Sequence, residues 1–215
     1  MKLFSVPQKS KGVVFDVDDT TYQHSNYFKR HTFQMDCAAL ADLWCMTIDE
    51  VSVLLTQKNG HLRTERRVNK VTMRDTITAC DVDDAWLSEA RARLWQPQDY
   101  LTRYPWLQES MRVLVERGIK VGFASTSHTA VVGKILAHLG LLEFATSALG
   151  MEYGLKPSPA IYQRVVESFG LLPNQCVSVG DSLECDCIPA ISLGMGAVHV
   201  SGPTEVVTFT QMLVR

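Results

Sequence analysis

Nowhere in the chain do ~18 uncharged apolar residues run together, the length a membrane-spanning helix needs, and the opening MKLFSVPQKSKG lacks the apolar stretch of a secretory signal. No membrane partner is expected, and the protein reads as cytoplasmic. Excess positive charge is also missing. Lys and Arg total 21 against 23 Asp and Glu, a net charge of −2, so there is no basic field for a phosphate backbone and no nucleic-acid partner is expected. The cysteines (Cys37, Cys45, Cys80, Cys176, Cys185, Cys187) form no CxxC pair, which disfavours structural zinc and, in a chain of 215 residues, favours reduced thiols over a disulfide framework. Neither GxxxxGK[ST] nor GxGxxG occurs, so nucleotide-cofactor chemistry has no support. Repeats, low-complexity tracts and long Gly/Ser linkers are absent, which leaves one large domain or a core carrying an insertion.

What is present is a globular composition, 46% hydrophobic and 20% charged. The first strong element, GVVFDVD at residues 12–18, is a continuous apolar run that ends in carboxylates, as a strand buried on both faces does at its carboxyl edge. Helical periods follow. NYFKRHTFQMDCAALADLWCM is one long amphipathic stretch, and Thr47 with Glu50 is a capping-box signature opening a helix that Gly60 can close. A third helix is predicted from Thr64 to about Thr78, and a fourth through DDAWLSEARARLW after Asp81, stopped by Pro97. Beyond Pro105 helix and strand alternate: WLQESMRVLVERG, IKVGFAS, TAVVGKILAHLG, FATSAL, PSPAIYQRVVESFG, QCVSVGD, LECDCIPAISLG and GAVHVSG. The pattern predicts an α/β core of residues 1–20 and 105–215, with a parallel sheet between layers of helices, interrupted by an all-helical insertion over residues 21–104.

Three predicted strand ends carry polar residues suited to one reaction. Asp16 and Asp18 lie two apart, so strand alternation directs both side chains to the same side. Ser125 and Thr126 follow IKVGFA, Asp181 and Asp186 follow CVSVG, and Lys156 lies in GLKPSP between them. Gathering Asp16, Asp18 and Asp181 without a cation would set like charges against one another in a partly dry cleft. A hard divalent cation resolves this, and Mg²⁺ suits few carboxylates with water and phosphate.

VFDVDDTTY, VGFASTS, GLKPSPAIY and SVGDSLECD resemble the four ordered motifs of the haloacid dehalogenase-like hydrolase superfamily, and the placement of the insertion resembles its helical-cap phosphatase branch. The resemblance covers nearly the whole chain. It implies a Rossmann-like core with a helical cap, and a Mg²⁺-dependent phosphatase that hydrolyses a small phosphorylated metabolite through an aspartyl phosphate. Asp16 would be the nucleophile, and Asp18 the acid that protonates the leaving oxygen and then the base that activates water. Ser125, with Thr126 as the register alternative, would hydrogen-bond a phosphoryl oxygen, and Lys156 would pair with phosphate and Asp16. Asp181, the Asp16 carboxylate and the Asp18 backbone carbonyl would hold Mg²⁺, supported by Asp186 from behind. Thr21 departs from the pattern, standing where the family usually has a large apolar residue. Pro189 falls early in the last motif's helix, a tolerated first-turn position. The branch that removes halide dispenses with the second aspartate, and Asp18 is present. A phosphomutase and a catalytically silent phosphate-binding domain are the alternatives. DVDDTTYQHS, through Tyr22 and Ser25, is similar to the start of pyrimidine 5′-nucleotidase-like members, which makes a nucleoside 5′-monophosphate a candidate substrate.

Other groups have competing readings. The second DVDD, Asp81–Asp84, opens an amphipathic helix and is read as an N-cap at Asp81. Cys185 and Cys187 are read as small packed residues. Arg63, Arg66, Arg67, Lys70 and Arg74 fall at i, i+3, i+4, i+7 and i+11, one continuous helical face that is either solvated or a surface for an anionic leaving group. His61 and His128 are surface or packing residues unless they reach the substrate.

Overall fold

A computed structural model describes residues 1–68 and 71–214. The chain opens with a short strand β1 (Lys2–Phe4) and the buried β2 (Gly12–Phe15). Four helices follow, α1 (Asn26–Trp44), α2 (Ile48–Arg66), α3 (Met73–Thr78) and α4 (Asp84–Leu94). The alternating part comprises α5 (Pro105–Glu116), β3 (Lys120–Ala124), α6 (Thr129–Leu139), β4 (Ala145–Leu149), α7 (Ala160–Phe169), β5 (Cys176–Gly180), α8 (Ile188–Ser192), β6 (Gly196–His199) and α9 (Pro203–Leu213). Two compact units result, Met1–His24 with Pro97–Arg215, and Ser25–Gln96. The core unit therefore runs on to His24 rather than stopping at residue 20, and resumes at Pro97 rather than at 105. His138 of α6 holds the Leu101 carbonyl at 3.0 Å, which ties the resumed segment to the core.

The sheet has the order β1-β6-β5-β2-β3-β4. All pairings are parallel except that of β1 with β6, so the expected parallel sheet is present and gains one antiparallel edge strand. β1 is three residues long, too short for its sequence to show a period. β2 lies between β3 and β5; the chain adds β3 and β4 on one side of it and then crosses to add β5 and β6 on the other. The carboxyl ends of β2, β3 and β5 thus meet where the strand order reverses, the place where such sheets bind ligands.

Two glycines set how closely α7 approaches the sheet. A Cβ on Gly122 of β3 would lie 2.6 Å from Val165 and 2.7 Å from the Phe169 ring, and one on Gly12 of β2 would meet the same ring at 2.7 Å. The Phe169 ring packs against both glycines in a core shared with Val14, Ile161, Tyr162, Val165 and Met195. The tight seating of α7 fixes the loop before it, which carries Lys156.

The helical unit has its own core of Cys37, Leu40, Val51, Leu55, Ile77, Val82 and Leu87. Ser25 caps α1 by accepting from the Phe28 N–H at 2.9 Å. The capping box at α2 is formed, with Thr47 N–H donating to Glu50 at 2.8 Å. Gly60 does not close that helix. Glycine costs only about 1 kcal/mol inside a helix, and Leu62 beyond it is buried, so α2 continues to Arg66. It ends at Arg67, which adopts a left-handed conformation. The helix expected over residues 64–78 is therefore broken, and with it the continuous basic face. Arg63 and Arg66 close α2, Arg67 caps it, Lys70 lies outside the described residues, and Arg74 on α3 pairs with Asp84, its Nε 2.7 Å from the carboxylate. The fourth helix starts later than expected. Asp83 is the cap, accepting from the Trp86 N–H at 2.8 Å, while Asp81 sits in a left-handed turn. A partly buried ion pair, Asp36 with Arg91 at 2.7 and 2.9 Å, joins α1 to α4.

Replacing Gly122 with Ala should lower stability by about 1–3 kcal/mol, the usual cost of overpacking a filled core. Urea unfolding of the variant beside wild type measures it; an unchanged midpoint would show that α7 can retreat freely.

Candidate active site

Asp16 is the residue after β2, and its N–H continues the ladder by donating to the Val179 carbonyl at 2.8 Å. Its side chain is buried at the sheet's carboxyl edge. The Lys156 ammonium lies 2.5 Å from Asp16 Oδ1 and 2.7 Å from Asp186 Oδ1, with its side chain only 1% exposed. Burial works against the Lys156 charge, but Asp16, Tyr162 and Asp186 outweigh it and hold the amine well above its ordinary value. Burial pushes Asp16 well above the usual carboxylate range; Lys156 opposes this, while Asp186 and Asp18 add repulsion.

Asp186 reaches this cluster through an unusual turn. Four residues separate it from Asp181, and the segment Leu183–Cys187 winds as a π turn, with Cys187 N–H donating to Ser182 O at 3.3 Å. The wider turn tucks Asp186 against Gly180, where a Cβ would lie 2.4 Å from the Asp186 carboxyl carbon. The Asp186 oxygens then accept from Lys156, from the Tyr162 hydroxyl at 2.9 Å and from the Ser182 N–H at 2.9 Å. Asp181, directly after β5, is half-buried, and its carboxyl is raised first by burial, then by Asp186 and Asp19. The His199 Nε2–H donates to the Asp181 backbone carbonyl at 2.9 Å.

Asp18 sits apart from Lys156. A tight turn, with Thr21 N–H on the Val17 carbonyl at 3.0 Å, places Tyr22 one turn beyond Asp18. Thr21 is buried, and its hydroxyl is satisfied by the same carbonyl at 2.8 Å, which is how the fold accepts a polar residue at this position. The Tyr22 hydroxyl donates to Asp18 Oδ1, and Ser125, directly after β3, donates to Asp18 Oδ2 at 3.1 Å. His24 Nε2 lies 3.5 Å from Asp18 Oδ1, while its Nδ1 lies 2.7 Å from Asp19 Oδ2. Burial raises the Asp18 carboxyl, but His24, Tyr22 and Ser125 together outweigh it and hold it below its ordinary value. Burial likewise opposes charge on His24, yet Asp18 and Asp19 push it up to about 9. Burial and then Asp18 keep the Tyr22 phenol protonated, so that it remains a donor.

Asp16, Asp181 and Asp186 offer oxygens within 4.8 Å of one another. Mutually repelling oxygen donors, those of Asp16 and Asp186 buried and that of Asp181 open to one side, suit a hard divalent cation, and the residues fit Mg²⁺. Since protein donors already engage both Asp186 oxygens, Asp16 and Asp181 are the side chains left to face the ion, and Asp186 acts by holding Lys156 and the turn. A recess of about 460 Å³, lined by Asp19, Gln23, His24, Asp181, His199, Val200 and Ser201, opens beside Asp181.

The structure thus brings together Asp16, Asp18, Ser125, Lys156, Asp181 and Asp186. Thr126 lies in the bend after Ser125, exposed. His128 caps α6, its Nδ1 accepting from Ala130 N–H at 3.3 Å, and His61 is exposed on α2. Burial, then Asp186 and Asp181, pushes the Cys187 thiol up to about 12, and it is a packed, unreactive group. Tyr162, His199, Asp19 and His24 were not singled out by sequence reasoning. Tyr162 lies within GLKPSPAIY but carries no chemistry by type, and His24 is recognisable only once the turn places it on Asp18.

The family model for haloacid dehalogenase-like hydrolases matches residues 10–194. No curated protein matches the sequence. Among solved structures, a HAD phosphatase from Thermococcus onnurineus is 21% identical over 88% of this chain and 86% of its own, with a TM-score of 0.59. A predicted phosphoglycolate phosphatase from Haemophilus somnus 129pt is 20% identical over 89% and 85%, with a TM-score of 0.57. L-2-haloacid dehalogenase from Xanthobacter autotrophicus, with chloropropionic acid covalently bound, is 18% identical over 89% and 77%, with a TM-score of 0.51. At these identities the likeness is one of fold. No helix among the described residues is long and apolar enough to cross a membrane.

The His24 environment gives a pH signature. A pKa raised from 6.5 to about 9 on folding contributes stability that is complete below 6.5 and is lost as pH rises through 9. In chelator-treated protein, wild type should exceed His24→Gln by on the order of 2 kcal/mol more at about pH 6 than at about pH 9.5. Parallel urea-midpoint curves across that range would show that the ring is not charged by its neighbours.

Proposed function

The chain belongs to the haloacid dehalogenase-like hydrolases, and we propose that within this family it is a Mg²⁺-dependent phosphomonoesterase acting on a small phosphorylated metabolite in the cytoplasm. The observation that carries the reading is the separate anchoring of two carboxylates. Asp16 is fixed beside Lys156, whereas Asp18 is held by Tyr22 and Ser125 at some remove from that cation. Removal of halide releases a weakly basic anion that needs no proton, and would leave Asp18 idle. An alkoxide leaving from phosphorus needs a proton, and a positioned carboxyl supplies one.

In the proposed reaction Asp16 attacks phosphorus and takes the phosphoryl group, while Asp18 protonates the departing oxygen. Asp18 then accepts a proton from water as the water attacks the aspartyl phosphate, which restores Asp16. Lys156 lies beside the Asp16 oxygen and offsets negative charge on the transferred group, and Ser125 turns its hydroxyl toward a phosphoryl oxygen. Mg²⁺, held by Asp16, Asp181 and the Asp18 backbone carbonyl, would neutralise the phosphate so that an anionic nucleophile can approach it. A nucleoside 5′-monophosphate is the first candidate, supported by the Tyr22 and Ser25 spacing. Ser25 itself caps α1, which gives that part of the spacing a structural reason.

A screen of metabolite phosphates with Mg²⁺, reading phosphate release, tests the reading. Excess chelator should abolish turnover and Mg²⁺ should restore it; full activity in chelator would overturn the metal assignment. Asp16→Asn should be inactive, because an amide cannot form the aspartyl phosphate, and activity within about tenfold of wild type would remove Asp16 as the nucleophile.

A further inference from the structure

We propose that Tyr22, steadied by His24, is a positioning residue that makes Oδ2 the proton-transferring oxygen of Asp18. The inference rests on the phosphatase reading. Oδ1 is anchored from the side of the turn. It accepts from the Tyr22 hydroxyl and has His24 Nε2 at 3.5 Å. His24 is clamped in turn by Asp19, which accepts from its backbone N–H at 2.7 Å and sits 2.7 Å from its Nδ1. Asp19 reaches it from a left-handed backbone conformation, φ 57°. The Tyr22 and His24 rings meet edge to face, with centroids 5.3 Å apart. Tyr22 is 1% exposed, so its hydroxyl has little freedom to swing away.

Oδ2 is held differently. Its donor is Ser125, the same hydroxyl that the reaction assigns to a phosphoryl oxygen. Once Ser125 turns to the phosphate, Oδ2 loses that donor while Oδ1 keeps Tyr22. The proton therefore sits on Oδ2. It passes to the leaving oxygen as the bond from Asp16 to phosphorus forms and the bond to the leaving group breaks. In the second half, Oδ2 takes a proton from water as the bond from water oxygen to phosphorus forms and the Asp16 oxygen is released. Tyr22 touches no reacting atom; it fixes which oxygen of Asp18 faces them.

The test uses leaving groups that differ in their need for a proton. Tyr22→Phe should lower kcat/KM, which reports the steps through departure of the leaving group, about tenfold on an alkyl phosphate, the size of one hydrogen bond, and less than about twofold on an aryl phosphate, because a phenolate leaves without help. The hydrolysis of the aspartyl phosphate, common to both substrates, should slow equally for both. In an Asp18→Asn background Tyr22→Phe should cost nothing further, since the group it positions is gone. His24→Gln, at a partly exposed site, should repeat the pattern more weakly and serves if Tyr22→Phe does not fold. Equal losses of kcat/KM on both substrates, no loss on either, or an additional loss in the Asp18→Asn background would overturn the proposal while the phosphatase reading stands. Absence of phosphomonoester turnover in wild type would overturn both.

Discussion

The ammonium of Lys156, buried between Asp16 and Asp186, is the contact on which the rest of the site depends. A cation so dry is tolerable only with carboxylates against it, and breaking such a pair typically costs about 3–5 kcal/mol. Three separate pieces of chain must therefore be delivered to one point. β2 brings Asp16, the loop ahead of α7 brings Lys156, and the π turn brings Asp186. The glycines at 12 and 122 let α7 lie close to the sheet, and Gly180 leaves room for the Asp186 carboxyl. Tyr162 completes the arrangement from α7 itself, donating to Asp186 and offering its ring face to Lys156 at 5.5 Å.

The two aspartates of DVD show how one residue of spacing separates environments. Asp16 is still part of the sheet and inherits its dryness, while Asp18 is already in the turn and inherits its donors. Burial dominates the first and raises it; hydrogen bonds prevail over burial in the second and lower it. Groups of the same type thus stand in different surroundings, one against the Lys156 ammonium and the other among hydrogen-bond donors.

What could be read from the sequence was whatever leaves a period or a boundary. GVVFDVD declared a buried strand and its end, and the alternation after Pro105 declared the remaining parallel strands. Ser125, Lys156, Asp181 and Asp186 could be placed because each follows a strand or lies in a short loop between elements. Features fixed by long-range contact were not legible. β1 owes its existence to the edge of β6, and α2 passes Gly60 with Leu62 beyond it buried. The basic residues from Arg63 to Arg74 keep a helical spacing that the backbone abandons at Arg67. Tyr22 and His24 acquire their contacts only from the turn at Val17–Thr21, whose left-handed Asp19 is not declared by residue type.

The π turn after Asp181 implies an unusual pattern of tolerance. Leu183 and Glu184 are exposed, so side chains there are free to vary. The number of residues is not. Each residue of helical register turns a side chain by roughly 100°, and losing one between Asp181 and Asp186 would swing the carboxylate away from Lys156 and Tyr162. In descendants of this sequence the segment would drift in letters but never in length, and a library that shuffles it should be built from substitutions alone.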